Sequence, residues 1–212
     1  MNATSNRQFR LAARPVGMPK PSDWDLVEQP LVEPAEGEFL VRIEYISLDP
    51  AMRGWMNEGK SYVPPVGIGE VMRAGAAGEV IASNHPGFPV GSKVSGLFGV
   101  QEYALSNGKG VQRVDTALAP LPTYLSVLGM TGMTAYFGLL DVGAAKEGDT
   151  VVVSGAAGAV GTVVGQIAKI KGCRVVGIAG GADKCRWLVD GLGFDAATDY
   201  KSEDVRRARR GH

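Results

Sequence analysis

The chain has 212 residues, of which 45% are hydrophobic and 21% charged, and its 22 Lys and Arg balance its 22 Asp and Glu. This composition predicts a soluble globular protein with one large core or two modest ones. Because phosphate binding usually needs a basic excess, the neutral balance argues against nucleic acid as the main partner. The segment from Met1 to Arg14 lacks the apolar core of a signal peptide, so we expect a cytoplasmic protein.

Histidine and cysteine are too few and too scattered for a metal centre. The two histidines are His85, in a Ser-Asn-His-Pro-Gly turn, and His212. Neither these nor Cys173 and Cys185 have the spacing of zinc ligands, and no carboxylate pattern supports another metal. We therefore predict no metal site, a turn role for His85, and two reduced structural cysteines.

Short β-rich runs separated by Gly and Pro clusters occupy roughly the first 120 residues. This pattern is typical of an antiparallel, barrel-like domain and not of βαβ units. Asp49 and Pro50 fit an N-cap and the first position of a short helix that ends at Met56. The predicted strands are residues 9–13, 25–29, 39–46, 78–83, 93–98 and 101–105.

From Thr123 onward the pattern turns helical, with helices predicted at residues 124–129 and 131–140. A strand, a glycine-rich turn, a helix ending at residue 171 and a second strand follow over residues 150–179. Such a unit holds a dinucleotide, because the N–H groups that begin the helix are free to bind a pyrophosphate.

The turn between strand and helix has the spacing GxGxxG. Residues 154–161 read Ser-Gly-Ala-Ala-Gly-Ala-Val-Gly, with Ala156 in the place of the first glycine, followed by Gly158 and Gly161. A glycine triplet alone is a weak signal, but between a strand and a helix it is a good one. Small residues there allow the backbone to approach a phosphate closely.

The end of the second strand indicates which dinucleotide is bound. An NAD site usually has a carboxylate there for the ribose 2′-OH, whereas this chain has Gly180 and Gly181, with Lys184 just beyond. A carboxylate would repel a 2′-phosphate and an ammonium would attract it, so NADP(H) is favoured. In the alternative interpretation, Asp183 caps the next helix and Lys184 is a solvated surface residue.

A membrane helix is the competing interpretation of the nucleotide segment. Residues 151–170 are nearly free of charge and contain the GxxxG pattern Gly-Thr-Val-Val-Gly at 161–165. Four glycines, Ser154, Gln166 and Lys169 argue against a continuous lipid-facing helix. We therefore predict no membrane span.

Beyond the second strand, a helix at residues 183–191, a strand at 195–199 and a helical stretch from Ser202 are predicted. Together these elements make half of a doubly wound sheet. The strand at residues 151–153 is then expected at a sheet edge, with unpaired N–H and C=O groups. The four arginines within residues 206–210 fit either a nucleic-acid patch or a solvated or aberrant end, and the second is favoured.

Six motifs occur along the chain in the order of one known family. They are SLDPAMRG at 47–54, SNHPG at 83–87, QEY at 101–103, LGMTGMTAYFG at 128–138, SGAAGAVG at 154–161, and GFD at 193–195 with Tyr200. On these motifs the chain resembles the N-terminal two-thirds of a zinc-independent medium-chain dehydrogenase/reductase. It is closest to the group of prostaglandin reductases, plant alkenal double-bond reductases and bacterial curcumin reductases. The final eight or so residues do not match.

The resemblance implies an α/β plus β fold class. A GroES-like antiparallel β-barrel domain for substrate and catalysis is expected at residues 1–122. The N-terminal half of a Rossmann, doubly wound NADP-binding domain is expected at residues 123–212. The family's C-terminal third, which carries further strands and the edge that forms the homodimer, has no counterpart. We therefore expect weak NADP(H) binding at a partial adenosine-side site, and little or no turnover.

The resemblance also implies a reaction, the reduction of the C=C bond of α,β-unsaturated aldehydes and ketones by NADPH without zinc. Hydride passes from the nicotinamide to the β-carbon, and charge develops on the carbonyl oxygen. The protein is expected to align the reactants, to donate hydrogen bonds to that oxygen and to allow protonation of the α-carbon.

The resemblance further implies a role for particular positions. Tyr62, in Ser-Tyr-Val-Pro-Pro, matches a substrate-facing tyrosine whose phenol could donate to the carbonyl. The alternative role of Tyr62 is loop packing, and Arg53 is expected to anchor structure. The matched cofactor positions are Gly158, Ala159, Val160 and Gly161 for the pyrophosphate, Lys184 and Tyr200 for the 2′-phosphate, and Met130 and Thr134 for the nicotinamide end.

Two other functions stay open. A quinone reductase shares the Ala-Ala-Gly-Ala-Val-Gly turn at residues 156–161. A non-catalytic NADP-binding or interaction protein is supported by the early stop and the arginine-rich end.

Overall fold

The chain divides into two compact units, Met1–Leu125 and Ser126–His212, of which the computed structural model describes residues 4–205. The first unit is built from antiparallel strands and the second from a parallel sheet with helices. The predicted fold class is therefore confirmed. The assignment of substrate work to residues 1–122 and cofactor work to residues 123–212 stays a prediction.

Seven strands and one short helix are the main elements in the described part of the first unit. Strands β1 and β2 form an antiparallel pair, and the other five form a sheet in the order β6-β3-β4-β5-β7. The elements are β1 (Ser5–Leu11), β2 (Trp24–Pro30), β3 (Phe39–Ile46), α1 (Ala51–Trp55), β4 (Ala76–Ser83), β5 (Lys93–Gly96), β6 (Tyr103–Ser106) and β7 (Gln112–Arg113).

The five-stranded sheet covers a small apolar core in which Phe39, Val41 and Val80 are fully buried. The pairing of β3 with β4 is irregular near Ile43. At that irregularity, a Cβ on Gly78 would lie 2.0 Å from the backbone oxygen of Arg42. Only glycine fits there, so Gly78 lets the two strands close over the core.

In the first unit, helix α1 was predicted with the wrong N-cap and strand β7 was missed. Helix α1 begins at Ala51, one residue later than predicted, and its N-cap is Pro50, with no side-chain cap among the described residues. Asp49 is therefore not the N-cap. Strand β7 was not predicted, because a two-residue strand without apolar residues has no periodicity to detect.

The second unit is a three-stranded parallel sheet with helices. The strand order is β10-β9-β8, so β8 lies at an edge among the described residues, as predicted. The elements are α2 (Met130–Phe137), which continues as a π-helical turn (Gly138–Val142), β8 (Thr150–Ser154), α3 (Ala159–Ile170), β9 (Arg174–Ala179), α4 (Ala182–Arg186), which continues as a π-helical turn (Trp187–Gly191), and β10 (Ala196–Asp199).

Helix α3 packs on the sheet through small residues. Gly161, Gly165 and Ala168 are buried on one helical face at positions separated by four and three residues. The Phe194 ring takes the place of a side chain at Gly165, where a Cβ would lie 1.9 Å from the ring. The close approach brings the start of α3 next to the end of β8. In the described part of the chain, no helix is long and apolar enough to cross a membrane.

The helix predicted at residues 124–129 is wrong. A 3-10 helix ends at Leu125, and the backbone oxygen of Ser126 then accepts hydrogen bonds from the N–H groups of Gly129 (3.0 Å) and Gly132 (3.2 Å) and from the Thr131 hydroxyl (2.9 Å). These bonds fold a turn in front of α2. Residues 202 and 203 form a turn and a bend where the predicted helical stretch should begin, residue 205 is helical, and the arginines at 206–210 lie outside the described residues.

Candidate functional site

The glycine turn between β8 and α3 is shaped by backbone contacts. Gly155 has a φ of 58°, in the left-handed region that favours glycine. A Cβ on Gly161 would lie 2.4 Å from the backbone oxygen of Gly155 and 2.8 Å from the Cα of Ala156. Gly161 therefore allows the first turn of α3 to touch the end of the strand. Gly161 is buried by this contact, while Gly158 is exposed.

The start of α3 is open to a ligand. Gly158 is its N-cap, and no side chain in the described part of the chain caps it. The first N–H groups of a helix lack acceptors within the helix, so those of Ala159, Val160 and Gly161 are available to an anion. Gly158 and Ala159 are exposed and Val160 is half-buried. A pyrophosphate fits this cradle, because it needs N–H donors and small residues.

The carboxyl end of β9 lies beside that of β10, because the two strands are parallel neighbours. Tyr200 follows β10, and its ring lies against Gly180, where a Cβ would lie 2.6 Å from the phenol oxygen. Lys184 is exposed in the first turn of α4, with no ion-pair partner among residues 4–205. The structure thus places Lys184 and Tyr200 on segments that leave neighbouring strand ends.

Asp199 joins these two segments, and sequence reasoning missed it. Its Oδ1 accepts hydrogen bonds from the backbone N–H of Gly181 (2.8 Å) and of Lys201 (3.0 Å). The hydrogen bond from the Gly181 N–H is the largest cause that lowers the pKa of the Asp199 carboxyl, and the bond from the Lys201 N–H is the next. The available signal was an Asp at the end of a predicted strand, where its carboxylate can accept from nearby N–H groups.

The cap at Asp183, which the alternative interpretation assumed, is wrong. The N-cap of α4 is Gly181, with a φ of 107° that favours glycine, and no side-chain cap is found in the described residues. Asp183 lies inside the first turn and pairs with Arg186. The cap position falls two residues earlier because Gly180 and Gly181 complete the turn out of β9.

Met130 and Thr134 lie one turn apart on α2, in the same unit as the glycine turn. Both side chains are exposed, and Met130 retains 78% of its accessible surface. The Thr134 hydroxyl donates to the backbone oxygen of Met130 at 2.7 Å. No donor among residues 4–205 bonds to the hydroxyl oxygen, which can therefore accept a hydrogen bond. Helix α2 packs against α3. All eight predicted cofactor residues belong to the second unit.

Tyr62 belongs to the first unit and is 81% exposed. Its hydroxyl has no hydrogen-bond partner among residues 4–205. It lies in the segment between Met56 and Val66, whose two ends are joined by Arg14. The Arg14 guanidinium donates to the backbone oxygens of Met56 (2.9 Å) and Val66 (2.6 Å). The loop that carries Tyr62 is therefore closed at its base.

One further arginine, Arg73, holds this loop, and Arg53 holds the segment at Pro15 and Gly17. Arg73 donates to the backbone oxygen of Pro64 at 2.9 Å, and its guanidinium lies over the Trp55 ring. Arg53 donates to the backbone oxygens of Pro15 and Gly17. Arg53 thus anchors structure, as predicted.

Histidine and cysteine have structural surroundings. The His85 ring contacts the Phe39 and Phe88 rings and accepts from the N–H of Gly87 at 3.0 Å, which confirms its turn role. Both cysteines are free, and burial raises the pKa of the Cys185 thiol. No group of three His, Cys, Asp or Glu within residues 4–205 could hold a metal ion.

Comparison with known proteins gives consistent matches. The family described as the N-terminal domain of oxidoreductase matches residues 7–114. The NADPH-dependent curcumin reductase of Escherichia coli is 49% identical over 199 residues, covering 94% of this chain and 58% of that protein. The prostaglandin reductase 1 of Bos taurus is 42% identical over 192 residues, covering 88% of this chain and 55% of that protein.

A solved structure, CurA from Vibrio vulnificus in complex with NADPH, superposes with a TM-score of 0.90 at 49% identity. The match covers 97% of this chain and 61% of that one. The chain therefore spans between 55% and 61% of the length of these relatives.

Proposed function

Because the chain belongs to the oxidoreductase family with this N-terminal domain, in the zinc-independent medium-chain dehydrogenase/reductase group, we propose that it is an NADP(H)-dependent oxidoreductase. Its proposed substrates are α,β-unsaturated aldehydes and ketones. The observation that carries the proposal is the start of α3 behind a glycine turn, which no side chain of residues 4–205 caps, together with Lys184 and Tyr200 on segments that leave neighbouring strand ends.

The residues of the second unit are assigned to the cofactor. When bound, NADPH supplies a hydride that can reduce a C=C bond conjugated to a carbonyl. The N–H groups that begin α3 would hold the pyrophosphate, and Lys184 and Tyr200 would hold the 2′-phosphate by charge and hydrogen bonding. Met130 and Thr134 would border the nicotinamide.

Tyr62 is assigned to the substrate. A phenol is a hydrogen-bond donor, and this one has no internal acceptor in the described part of the chain. It could donate to the carbonyl oxygen, on which negative charge grows as the β-carbon is reduced. The hydrogen bonds from Arg14 to both ends of the loop restrict the positions that the phenol can reach.

Titration of the purified protein with NADPH and NADH tests the cofactor assignment. We expect the dissociation constant for NADPH to be lower than that for NADH by about tenfold or more, because only NADPH carries the 2′-phosphate. Adenosine 2′,5′-bisphosphate should displace NADPH, and adenosine 5′-monophosphate should not. Equal affinities would contradict the 2′-phosphate assignment, and no binding of either nucleotide would contradict the proposed function.

Mixing NADPH-loaded protein with an excess of acceptor in a single turnover distinguishes the possible reactions, and it detects even slow reduction. Oxidation of NADPH by 2-alkenals but not by quinones supports the proposal. Faster oxidation by quinones would favour a quinone reductase. Tight NADPH binding without oxidation by either acceptor would favour a non-catalytic NADP-binding protein.

In the single-turnover measurement, the variant Tyr62→Phe is expected to slow alkenal-dependent NADPH oxidation by about 100-fold relative to the parent protein, within the range of one positioned donor. Its dissociation constant for NADPH should not change, because Tyr62 lies outside the unit that carries the cofactor residues. Tyr124→Phe is the control, since the Tyr124 hydroxyl donates to the backbone oxygen of Asp115 within the fold. A Tyr62→Phe rate equal to that of the parent protein would assign Tyr62 to loop packing.

A further inference from the structure

The carboxylate of Asp199 links two segments that leave the sheet. Asp199 ends β10, and it is paired in register with Ala179, which ends β9. Beyond this pair the backbone N–H of Tyr200 donates to the Ala179 oxygen at 3.1 Å. The carboxylate then accepts from the N–H of Gly181 at 2.8 Å and from that of Lys201 at 3.0 Å.

Each of these contacts has a consequence for the residue beside it. Gly181 is the N-cap of α4, so the Asp199 bond fixes the point at which the helix carrying Lys184 begins. The bond to Lys201 turns the chain just after Tyr200, and the Tyr200 ring lies against Gly180. Without the carboxylate, two backbone N–H groups would have to find other acceptors.

The direction of the carboxylate also matters for charge. A carboxylate at the end of β9 would face a ribose 2′-OH and repel a 2′-phosphate. Here the acid stands on the adjacent strand, and one of its oxygens is engaged by two N–H donors. Its negative charge is therefore partly compensated by backbone dipoles.

We propose that Asp199 is a positioning residue that determines the preference for NADPH over NADH, by holding the Lys184 helix and the Tyr200 turn together. This inference rests on the proposed cofactor function and adds a residue that does not itself need to contact the nucleotide. The interaction that matters is the pair of accepted hydrogen bonds, and an amide oxygen in the same place can also accept them.

The test compares three variants in NADPH and NADH titrations of the full chain. Asp199→Ala is expected to raise the dissociation constant for NADPH about tenfold while that for NADH changes less than about twofold. Asp199→Asn, which keeps an acceptor oxygen, should restore most of the preference. Asp195→Ala is the control, because Asp195 lies just before β10 and its carboxylate also accepts from a backbone N–H, that of Val175 at 2.6 Å, while pairing with Lys169. It should leave the preference intact.

Hydrogen exchange of residues 180–185 supplies a second measurement. Exchange there should accelerate in Asp199→Ala and not in Asp195→Ala. The inference is overturned if Asp199→Ala keeps the NADPH preference, weakens both nucleotides equally, or leaves this exchange unchanged. It is also overturned if Asp199→Asn behaves like Asp199→Ala, since charge would then be the cause. A parent protein that binds both nucleotides equally would instead contradict the 2′-phosphate assignment on which this inference rests, and one that binds neither would contradict the proposed function.

Discussion

Gly161→Ala is expected to destabilise the second unit by about 3 kcal/mol, at the upper end of what an overpacked site costs, and to weaken NADPH binding at least about tenfold. The added Cβ would lie 2.4 Å from the Gly155 oxygen and 2.8 Å from the Ala156 Cα. Both neighbours are backbone atoms, so no side chain can rotate away. The start of α3 must move from the strand, which displaces the N–H groups assigned to the pyrophosphate. Chemical denaturation and NADPH titration measure the two effects.

Gly138→Ala is the matched control for this substitution. Gly138 is also a helical glycine of the second unit, but a Cβ there would meet no atom within 4 Å. The same chemical change should leave NADPH binding intact and stabilise the protein by as much as about 1 kcal/mol, because alanine is the better helix former. If Gly161→Ala has the same free energy of unfolding and the same dissociation constant for NADPH as the parent protein, the close contact between helix and strand is not needed for the site.

The glycine turn of the second unit and the strands on either side of it could be predicted from sequence, because the signals that predict them are local. A β-branched run, three small residues at fixed spacing and a second apolar run are all contained in residues 150–179, and each constrains its neighbours directly. Strand β3 was predicted to the residue for the same reason, since its apolar positions lie within one short segment. The glycines at 180 and 181 likewise predicted a turn after the second strand that has no carboxylate.

Other parts of the site depend on contacts between distant residues. Asp199 meets Gly181 only after β9 and β10 pair in parallel, and no periodicity within either segment predicts that pairing. The turn at residues 126–129 looked helical by composition, but hydrogen bonds to the Ser126 oxygen decide its shape. The Arg14 bonds to Met56 and Val66 span more than forty residues of sequence. Sequence patterns do not predict such contacts, because the two partners lie far apart in the chain and at no fixed spacing.

Lys184→Ala is expected to raise the dissociation constant for NADPH about tenfold, equivalent to about 1.4 kcal/mol, with little change for NADH. The reason is the loss of an exposed ammonium that can face the 2′-phosphate. Two unit charges 4 Å apart gain about 1 kcal/mol in bulk water and about 4 kcal/mol near a protein surface, so tenfold lies within this range. Because Lys184 is exposed and has no ion-pair partner in residues 4–205, its removal leaves no carboxylate of those residues without its partner. Nucleotide titration at several salt concentrations measures the effect.

The salt dependence separates this interaction from a general effect of charge. The NADPH affinity of the parent protein should fall as salt rises, and that of Lys184→Ala should fall less, since screening acts on a contact the variant lacks. Lys171→Ala is the control, because Lys171 is exposed at the other end of α3 from the glycine turn. Lys184→Arg should keep most of the affinity, because a guanidinium also binds phosphate. If Lys184→Ala and Lys171→Ala weaken NADPH equally, the 2′-phosphate is held by other groups, and the choice of NADP(H) over NAD(H) does not depend on the lysine that follows β9.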